Sequence, residues 1–508
     1  MSAPAASPRP HVAVVGGGIA GLSAALEVLD RWPGVRLTLL EGSDRLGGKL
    51  RREPVAGHPV DVGAEAMLSV RPEATDLVGR LGMGEELTTP STTSASVWSR
   101  GALRPLPRAT LMGVPTDPAS ALGVLDDGEV ARLRDERDWP GGRVAQDVSV
   151  GDYVGARLGP AVVDRLVEPL LGGVYAGHAS RLSLQATMPT LWNRATRAET
   201  LLRPEVPPTT PGGDRPRTPF AGIVGGVGRL PGFLADEIRR RGATVRTGVA
   251  VRGLERVGEQ WRLVLGSAAA PESLRADAVL LCVPPAPAAR LLGPHAPEAA
   301  RLLGEVETAS TAVVTLAVTR RGLPDLPGSG FLVPPVEGRT IKASTFSGNK
   351  WAWTGSLSEE VVHLRASIGR AREERVLQRD DADLVEVSVA EISAAVGRAL
   401  PPVVDSHVQR WGGGLPQYAV GHVARVAAVR AAIDGVAGLE VAGATYDGVG
   451  IPAVISSAVR AARATIAFLA MPADAGSRRH PSAGSGAEHD TTLTPATRLP
   501  STQTTTHP

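Results

Sequence analysis

Three glycines near the amino terminus have the spacing of a nucleotide-binding turn. Gly16, Gly18 and Gly21 form G-x-G-x-x-G after the apolar residues 11–15 and before a stretch rich in alanine and leucine. In such a strand–turn–helix unit the first glycine permits a tight turn, the second lets the backbone approach a pyrophosphate, and the third allows close packing of helix on strand. A chain with 59 glycines also produces this spacing by chance, so its position between a strand and a helix is the informative feature.

A carboxylate at the end of the next predicted strand completes the unit. Residues 35–40 predict this strand, and Glu41 follows it, twenty residues after Gly21. An acidic residue in this position accepts a hydrogen bond from a ribose hydroxyl, and the helix amino terminus faces the phosphates. The sequence therefore predicts a nucleotide site formed by Gly16, Gly17, Gly18, Ile19, Ala20, Gly21, Glu41 and Gly42.

The residues after Glu41 indicate which nucleotide is bound. Residues 41–48 have the pattern E-x-x-x-R-x-G-G, and residues 61–63 have the pattern D-x-G. Together they resemble the extended fingerprint of the FAD-binding amine oxidase-like flavoproteins, in which the first run wraps the pyrophosphate and the second passes the flavin ring. A glycine beside the ring permits close approach of the backbone. The resemblance implies FAD contacts by Arg45, Gly48, Lys49, Gly63, Ala64, Glu65 and Ala66, although many amine oxidases have arginine in place of Lys49.

Two later segments extend this resemblance. Residues 244–251 resemble the strand whose valine backbone meets the adenine, and residues 438–452 resemble the carboxy-terminal flavin motif, in which a helix amino terminus points at the pyrimidine edge of the ring. They imply further FAD contacts by Val251, Trp411, Val449, Gly450 and Ile451. Cys282, the one cysteine, is far in sequence from this motif, so we expect the FAD to be bound non-covalently.

Three segments in the middle and later part of the chain narrow the family. Residues 168–177 have the pattern E-P-x-x-x-G-V-Y-A-G, residues 222–228 have G-x-x-G-G-x-G, and residues 416–422 have P-Q-Y-x-x-G-H. These segments are similar to those of the protoporphyrinogen and coproporphyrinogen oxidases. With the flavin motifs, the resemblance covers residues 11–470 in unbroken order. The alternative for the last motif is a loop with a capping histidine.

The resemblance implies an oxidase that aromatises a porphyrinogen. Six electrons and six protons leave in three rounds, with dioxygen as the acceptor and hydrogen peroxide as the second product. Because aromatisation drives the proton loss, no strong general base is required, and the sequence shows no convincing catalytic pair. We therefore assign no catalytic residue and expect His178 and His422 to be structural.

The implied substrate is a wide apolar macrocycle edged with propionates, so its cavity needs apolar walls and a few cations. Arg71, just past the segment expected to pass the flavin, is the first candidate to bind a propionate, and Tyr175 is a candidate for the cavity wall. Lys342 and Lys350 are weaker candidates for the propionate contact.

Four functions stay open at this point. The favoured one is a coproporphyrinogen III oxidase of the soluble Gram-positive type, and the second is a protoporphyrinogen IX oxidase, whose substrate has two propionates instead of four. The third is another amine oxidase-like enzyme, such as a monoamine oxidase or a phytoene-type desaturase. The fourth is not an enzyme but a flavin-holding protein that binds porphyrin or partners. The sequence has no apolar helix pair like that of the membrane-attached eukaryotic oxidases, which favours the first over the second.

The elements that must position these residues predict an α/β fold. We expect a Rossmann-like FAD-binding domain of the amine oxidase-like type, a substrate domain with a mixed sheet, and a mainly helical insert. The predicted boundaries are 11–70, 218–285 and 408–470 for the FAD domain, 71–90 and 286–407 for the substrate domain, 91–200 for the insert, 201–217 for a linker, and 1–10 and 472–508 for disordered tails.

Composition excludes several other classes of protein. The charges nearly balance, at 54 Lys and Arg against 52 Asp and Glu, so no overall field recruits nucleic acid. One cysteine excludes an intramolecular disulfide framework and a cysteine-based zinc site, we expect no metal, and the context fits the cytoplasm. We also expect no signal peptide and no transmembrane segment, whereas weak peripheral membrane contact stays open. The predicted partners are the porphyrinogen and dioxygen, and the sequence gives no oligomeric state.

Overall fold

The computed structural model describes residues 9–108, 110–138, 142–202 and 218–471. Most of the expected linker at 201–217, most of the expected tail at 1–10 and all of that at 472–508 lie outside them. The strands are His11–Val15, Arg36–Leu40, Arg52–Val55, His58–Asp61, Met67–Leu68, Leu87–Thr88, Ser96–Ser99, Ala102–Pro105, Thr110–Leu111, Val114–Pro115, Phe220–Ile223, Thr244–Arg246, Val251–Val257, Gln260–Gly266, Pro271–Ala276, Ala278–Leu281, Thr308–Thr319, Gly330–Leu332, Ile341–Phe346, Val361–Ile368, Val403–Pro416 and Leu439–Val441. The α-helices are Ile19–Arg31, Pro72–Arg80, Asp127–Arg134, Val150–Leu158, Pro160–Val162, Glu168–Tyr175, Leu184–Thr187, Pro189–Thr196, Leu230–Arg240, Pro285–Leu292, Pro297–Gly304, Ser347–Lys350, Ala352–Gly355, Asp381–Val396, His422–Asp434 and Ile451–Leu469.

A five-stranded parallel sheet, the nucleotide sheet, organises the first half of the site. Its strand order is Thr244–Arg246, Arg36–Leu40, His11–Val15, Ala278–Leu281 and Leu439–Val441. Helices cover one face, and the three-stranded sheet Val251–Val257, Gln260–Gly266 and Pro271–Ala276 covers the other together with further helices, so the central strands are mostly apolar. Ligands bind outside the carboxyl ends of such strands, and Gly16 and Glu41 follow two neighbouring strands there.

A seven-stranded mixed sheet, the substrate sheet, organises the second half. Its strand order is Val403–Pro416, Thr308–Thr319, Val361–Ile368, Ile341–Phe346, Gly330–Leu332, Ser96–Ser99 and Ala102–Pro105. Side chains alternate between its faces along each strand. Ala312 and Val314 pack in the core under the helix Asp381–Val396, whereas Thr311 and Val313 point into a cavity. The sheet therefore has one covered face and one face available to a ligand.

Several elements differ from the expected ones. The hairpin Ser96–Ser99 and Ala102–Pro105 falls in the expected helical insert but extends the substrate sheet, because Arg100 and Gly101 both have positive φ and form a tight two-residue turn. The strand Val403–Pro416 also belongs to the substrate sheet, although residues 408–416 fall in the segment 408–470 that we assigned to the FAD domain. The helix Asp381–Val396 ends where it does because Gly397 adopts a left-handed conformation.

The helix Ile451–Leu469 has a length and composition that could cross a membrane, and among the described residues it is the one helix of this kind. Twelve of its residues are buried, and it packs against Ile19–Arg31 in the core beneath the nucleotide sheet. In this structure it is a core helix.

Candidate active site

A cavity of about 850 Å³ lies between the nucleotide sheet and the substrate sheet. Both sheets contribute to its wall, as do the glycine-rich turns at residues 16–18 and 47–48. Of the residues predicted from sequence, the wall contains Gly16, Gly18, Ile19, Ala20, Glu41, Gly42, Gly48, Lys49, Gly63, Ala64, Glu65, Ala66, Val251, Trp411, Val449, Gly450 and Ile451. The structure thus brings together residues that are up to 435 positions apart in the chain.

Two positions of the first glycine turn, Gly16 and Gly21, leave no room for a Cβ. Gly16 has a φ of +109°, and a Cβ there would lie 2.4 Å from the carbonyl oxygen of Cys282. A Cβ on Gly21 would lie 1.8 Å from the carbonyl oxygen of Gly16. The N–H of Gly17 donates to the carboxylate of Glu41 at 2.6 Å. Gly17 and Gly21 do not line the cavity, but they fix the shape of the turn.

Two glycine segments cross at the start of the first helix. Gly18 is the N-cap of Ile19–Arg31, and no side chain caps the free N–H groups there. Gly18 also bridges to Gly47, and a Cβ on Gly48 would approach the Cα of Gly18 at 3.3 Å. Bare backbone with unpaired N–H groups at a helix amino terminus suits a pyrophosphate. The predicted phosphate contacts fit this part of the site.

Arg45 supports the second of these segments and does not line the cavity. Its guanidinium donates to the carbonyl oxygen of Gly48 at 2.9 Å and lies 5.9 Å from the ring of Trp411. Arg45 therefore positions the loop that would wrap the pyrophosphate.

Glu41 links the turn to the segment expected to meet the adenine. Besides Gly17, its carboxylate accepts from the N–H and the hydroxyl of Ser43, each at 2.8 Å. The backbone of Glu41 bonds to Val249, which lines the cavity with Ala250 and Val251. Arg290 donates to the carbonyl oxygen of Val251 at 3.2 Å and joins the wall. Sequence reasoning missed Arg290, which carries no motif, and within the segment 244–251 it selected Val251 but not Val249 or Ala250.

A buried carboxyl fixes the segment expected to pass the flavin ring. Asp61 accepts from the N–H groups of Val227 and Gly228, both at 2.9 Å. Burial raises the pKa of Asp61 to about 7, and the hydrogen bond from Gly228 partly offsets this. Two residues further on, a Cβ on Gly63 would lie 2.1 Å from the carbonyl oxygen of Lys49. The predicted glycine at this position is therefore required by contact with neighbouring backbone.

Glu65 joins this segment to the substrate sheet through two ion pairs. Lys350 Nζ lies 2.6 Å and an Arg365 guanidinium nitrogen 2.5 Å from its two carboxylate oxygens. Burial would raise the pKa of Glu65, but the two cations outweigh it and lower the pKa to about 2. Arg365 also donates to the carbonyl oxygen of Gly63 at 2.5 Å. Arg365 and Lys350 thus share one carboxylate, and Lys350 does not line the cavity.

A second helix amino terminus meets the cavity from the other side. Gly450 is the N-cap of Ile451–Leu469, again with no side-chain cap, and Val449, Gly450 and Ile451 line the wall. Trp411 borders the same cavity and donates from its indole to the carbonyl oxygen of Val62 at 3.3 Å. A partial positive charge here stabilises an anionic ring edge, so the predicted flavin contacts fit this half of the site.

The P-Q-Y-x-x-G-H motif holds the turn before that helix. Tyr418 donates its hydroxyl proton to the carbonyl oxygen of Ala444, and His422 Nε2 lies 3.0 Å from that of Thr445. The two rings stack with centroids 4.0 Å apart. Gln417 donates to the carbonyl oxygen of Tyr175 at 2.7 Å. The motif therefore connects the helix Glu168–Tyr175 with the turn that precedes Ile451–Leu469.

The two histidines singled out in the sequence have structural partners. Burial lowers the pKa of His422 to about 4, so this ring stays neutral while it holds Thr445. His178 Nε2 lies 3.2 Å from the carbonyl oxygen of Ala371. Neither lines the cavity.

The structure does not bring Arg71 or Tyr175 into the cavity wall. Arg71 precedes the helix Pro72–Arg80, and its guanidinium pairs with Glu73 at 2.5 Å. Tyr175 is buried among helices with its ring against Tyr418; its neighbour Val174 lines the cavity, since successive helical residues point about 100° apart. A propionate contact by Arg71 stays a prediction.

Cys282 lines the cavity beside the Gly16 turn, at the pyrophosphate end. Burial raises the pKa of this thiol to about 12, which keeps it protonated and unreactive. We expect acid precipitation to release all of the flavin as FAD into the supernatant, measured by absorbance. Flavin that stays with the pellet after washing would contradict non-covalent binding.

Comparisons with known proteins agree with this site. Residues 19–466 match the family of flavin containing amine oxidoreductases. A coproporphyrinogen III oxidase of Mycobacterium leprae is 36% identical over 90% of this chain and 98% of its own length, and that of Bacillus subtilis is 28% identical over 91% and 99%. A crystal structure of an Exiguobacterium protein provisionally named protoporphyrinogen oxidase superposes with a TM-score of 0.78, at 30% identity over 90% of this chain and 98% of that one.

The family resemblance, the amine oxidase-like fold and the FAD cofactor expected from the sequence are confirmed. The chain belongs to the flavin containing amine oxidoreductase family and is an FAD-dependent oxidoreductase.

Proposed function

We propose that this protein oxidises coproporphyrinogen III to coproporphyrin III. The balanced reaction consumes three molecules of dioxygen and forms three of hydrogen peroxide, as six electrons and six protons leave the macrocycle. The observation that carries the proposal is the 36% identity to the Mycobacterium leprae enzyme over 98% of that enzyme's length. A protein that shared only its FAD-binding domain with that enzyme would align with only part of the enzyme's length.

The wall contributed by the substrate sheet supports a large apolar ligand. Val313, Ala343 and Ala366 line it, with Gly173 and Val174 from the helical region. Such a wall excludes water and binds a macrocycle through its apolar faces. An enzyme for a small polar amine would need a narrower and more polar pocket.

The residues of the chain position the reactants. Bound FAD supplies the redox chemistry by accepting electrons in pairs. The Gly16 turn and Glu41 would hold its nucleotide half, and Gly63, Glu65 and Trp411 would border its ring. Histidine and aspartate do not occur among the described residues that line the cavity, which suits a reaction whose proton loss is driven by aromatisation.

Protoporphyrinogen IX oxidation is the second candidate, favoured by the name given to the Exiguobacterium structure. Both substrates share the macrocycle, so the same wall accepts either. We place the reaction in the cytoplasm, because one cysteine without a disulfide suits a reducing compartment. Peripheral contact with a membrane is compatible with a substrate of this apolar character.

The test is turnover of purified, FAD-loaded protein with coproporphyrinogen III under air. We expect porphyrin fluorescence to rise with three molecules of hydrogen peroxide formed per porphyrin. No porphyrin above the rate of spontaneous oxidation would overturn the proposal.

A further inference from the structure

One cation in the cavity is placed by an irregularity in the substrate sheet. The strand Ile341–Phe346 pairs with Val361–Ile368 so that Ile341 lies opposite Ile368 and Ala343 opposite Ser367. Lys342 is therefore the extra residue of a β-bulge. Bulges redirect a side chain and are common beside active sites. Without the bulge, strict alternation would place the side chains of residues 342 and 343 on opposite faces, yet both line the cavity.

Lys342 is buried without a counter-charge. Only 4% of the residue is exposed, and among the described parts of the chain no carboxylate forms an ion pair with it. The other cation that the substrate sheet contributes to the wall, Arg365, shares the carboxylate of Glu65 with Lys350, whereas Lys342 has no carboxylate partner among the described residues. An isolated buried ammonium is costly to maintain unless an anion binds beside it.

The surroundings of Lys342 indicate which anion this is. The wall nearby consists of apolar or small neutral residues from three strands and one helix, namely Thr311, Val313, Ala343, Thr345, Ala366, Ser367, Gly173 and Val174. A ligand that matches one cation set in an apolar wall is apolar itself and has an acidic edge. We infer that Lys342 binds a carboxylate on the edge of the substrate and so favours the more highly carboxylated porphyrinogen. This inference rests on the proposed function.

The charge state of Lys342 gives a signature that a packing role would lack. Burial, and then the positive charge of Arg370, lower the pKa of Lys342 to about 7. The amine is therefore charged below this pH and neutral above it, so kcat/KM for a tetracarboxylate should fall as the pH rises through about 7. Arg370 follows the neighbouring strand Val361–Ile368, and the other charged or titratable groups on the elements packed around Ile341–Phe346 are Lys350, His363, Arg365, Glu168, Asp381, Asp383, Glu386 and Glu391. These groups remain in a Lys342 variant. The difference between the kcat/KM–pH profile of the unchanged protein and that of the variant therefore reports on Lys342 alone.

The experiment compares Lys342→Met and Lys342→Gln with the unchanged protein. Loss of a charged contact of this kind should raise KM for coproporphyrinogen III about 10- to 100-fold, with kcat changed less than about threefold. KM for protoporphyrinogen IX should rise less, because that substrate presents two fewer carboxylates. The control is Arg104→Gln, which removes the same charge from an exposed position on the edge strand Ala102–Pro105 and should leave both KM values unchanged.

A second readout does not depend on turnover. Titration with coproporphyrin III, followed by porphyrin fluorescence, should show the same loss of affinity in both Lys342 variants at unchanged FAD content. Equal KM values in the variants and the unchanged protein, or equal effects on both substrates, would overturn the inference. If the unchanged protein oxidises neither porphyrinogen, the proposed function fails first and this inference fails with it.

Discussion

Replacing Glu41 with alanine is expected to weaken FAD binding by about 1.5–3 kcal/mol, which corresponds to roughly 10- to 150-fold in Kd. The carboxylate lines the cavity where the ribose is expected, and it also accepts the N–H of Gly17 at 2.6 Å. Its removal therefore deletes a charged hydrogen bond to the cofactor and leaves a turn N–H without its partner. The measurement is titration of the apoprotein with FAD, followed by flavin fluorescence.

Asp44→Ala is the matched control for this variant. Asp44 is an exposed carboxylate three residues further on in the same loop, so its loss changes the local charge equally without touching the cavity. We expect its Kd for FAD to stay within about twofold of the unchanged protein, as for a solvent-screened charge. Identical affinities in the Glu41 and Asp44 variants would contradict the ribose contact.

A second large effect is expected from Gly63→Ala. The added methyl group would lie 2.1 Å from the carbonyl oxygen of Lys49 and 3.1 Å from the ring of Trp411. A carbonyl in the backbone cannot yield as a flexible side chain would, so the segment beside the flavin must shift. We expect a loss of about 1–3 kcal/mol in stability and a fall in the flavin retained through gel filtration.

Gly79→Ala separates this effect from a general cost of replacing glycine. Gly79 lies in the helix Pro72–Arg80, and a Cβ there meets no atom within 4 Å. Since alanine is the better helix former, this variant should be as stable as the unchanged protein or more stable by up to about 1 kcal/mol. Full flavin retention in Gly63→Ala would show that the close approach is not required.

The nucleotide half of the site could be predicted from sequence because its determinants are local. A Cβ on Gly16 would lie 2.4 Å from the carbonyl oxygen of Cys282, so this turn needs glycine, and Glu41, the residue predicted to bind the ribose, directly follows the adjacent strand. Both requirements leave a fixed spacing in the sequence. Arg290 has no fixed spacing to these residues, because it reaches the cavity from the helix Pro285–Leu292, which tertiary packing places.

The substrate half could be predicted only in part. The strand Val403–Pro416 is polar and rich in glycine, so its sequence lacks the alternating pattern of a strand. It is stabilised by pairing with Thr308–Thr319. The side chain of Lys342 reaches the cavity because of a β-bulge, which no local sequence pattern predicts. Arg71 was favoured for its position after the flavin segment, but Pro72 begins a helix directly after it and its guanidinium pairs with Glu73.

The most direct test of the proposed activity is a competition between the two porphyrinogens. The FAD-loaded protein would be given coproporphyrinogen III and protoporphyrinogen IX at equal concentration under air, and the two porphyrins would be separated by chromatography at early times. The ratio of products gives the ratio of the two kcat/KM values directly. We predict that coproporphyrin III forms first and in clear excess. Predominant formation of protoporphyrin IX, or of neither porphyrin above the spontaneous rate, would contradict the assignment.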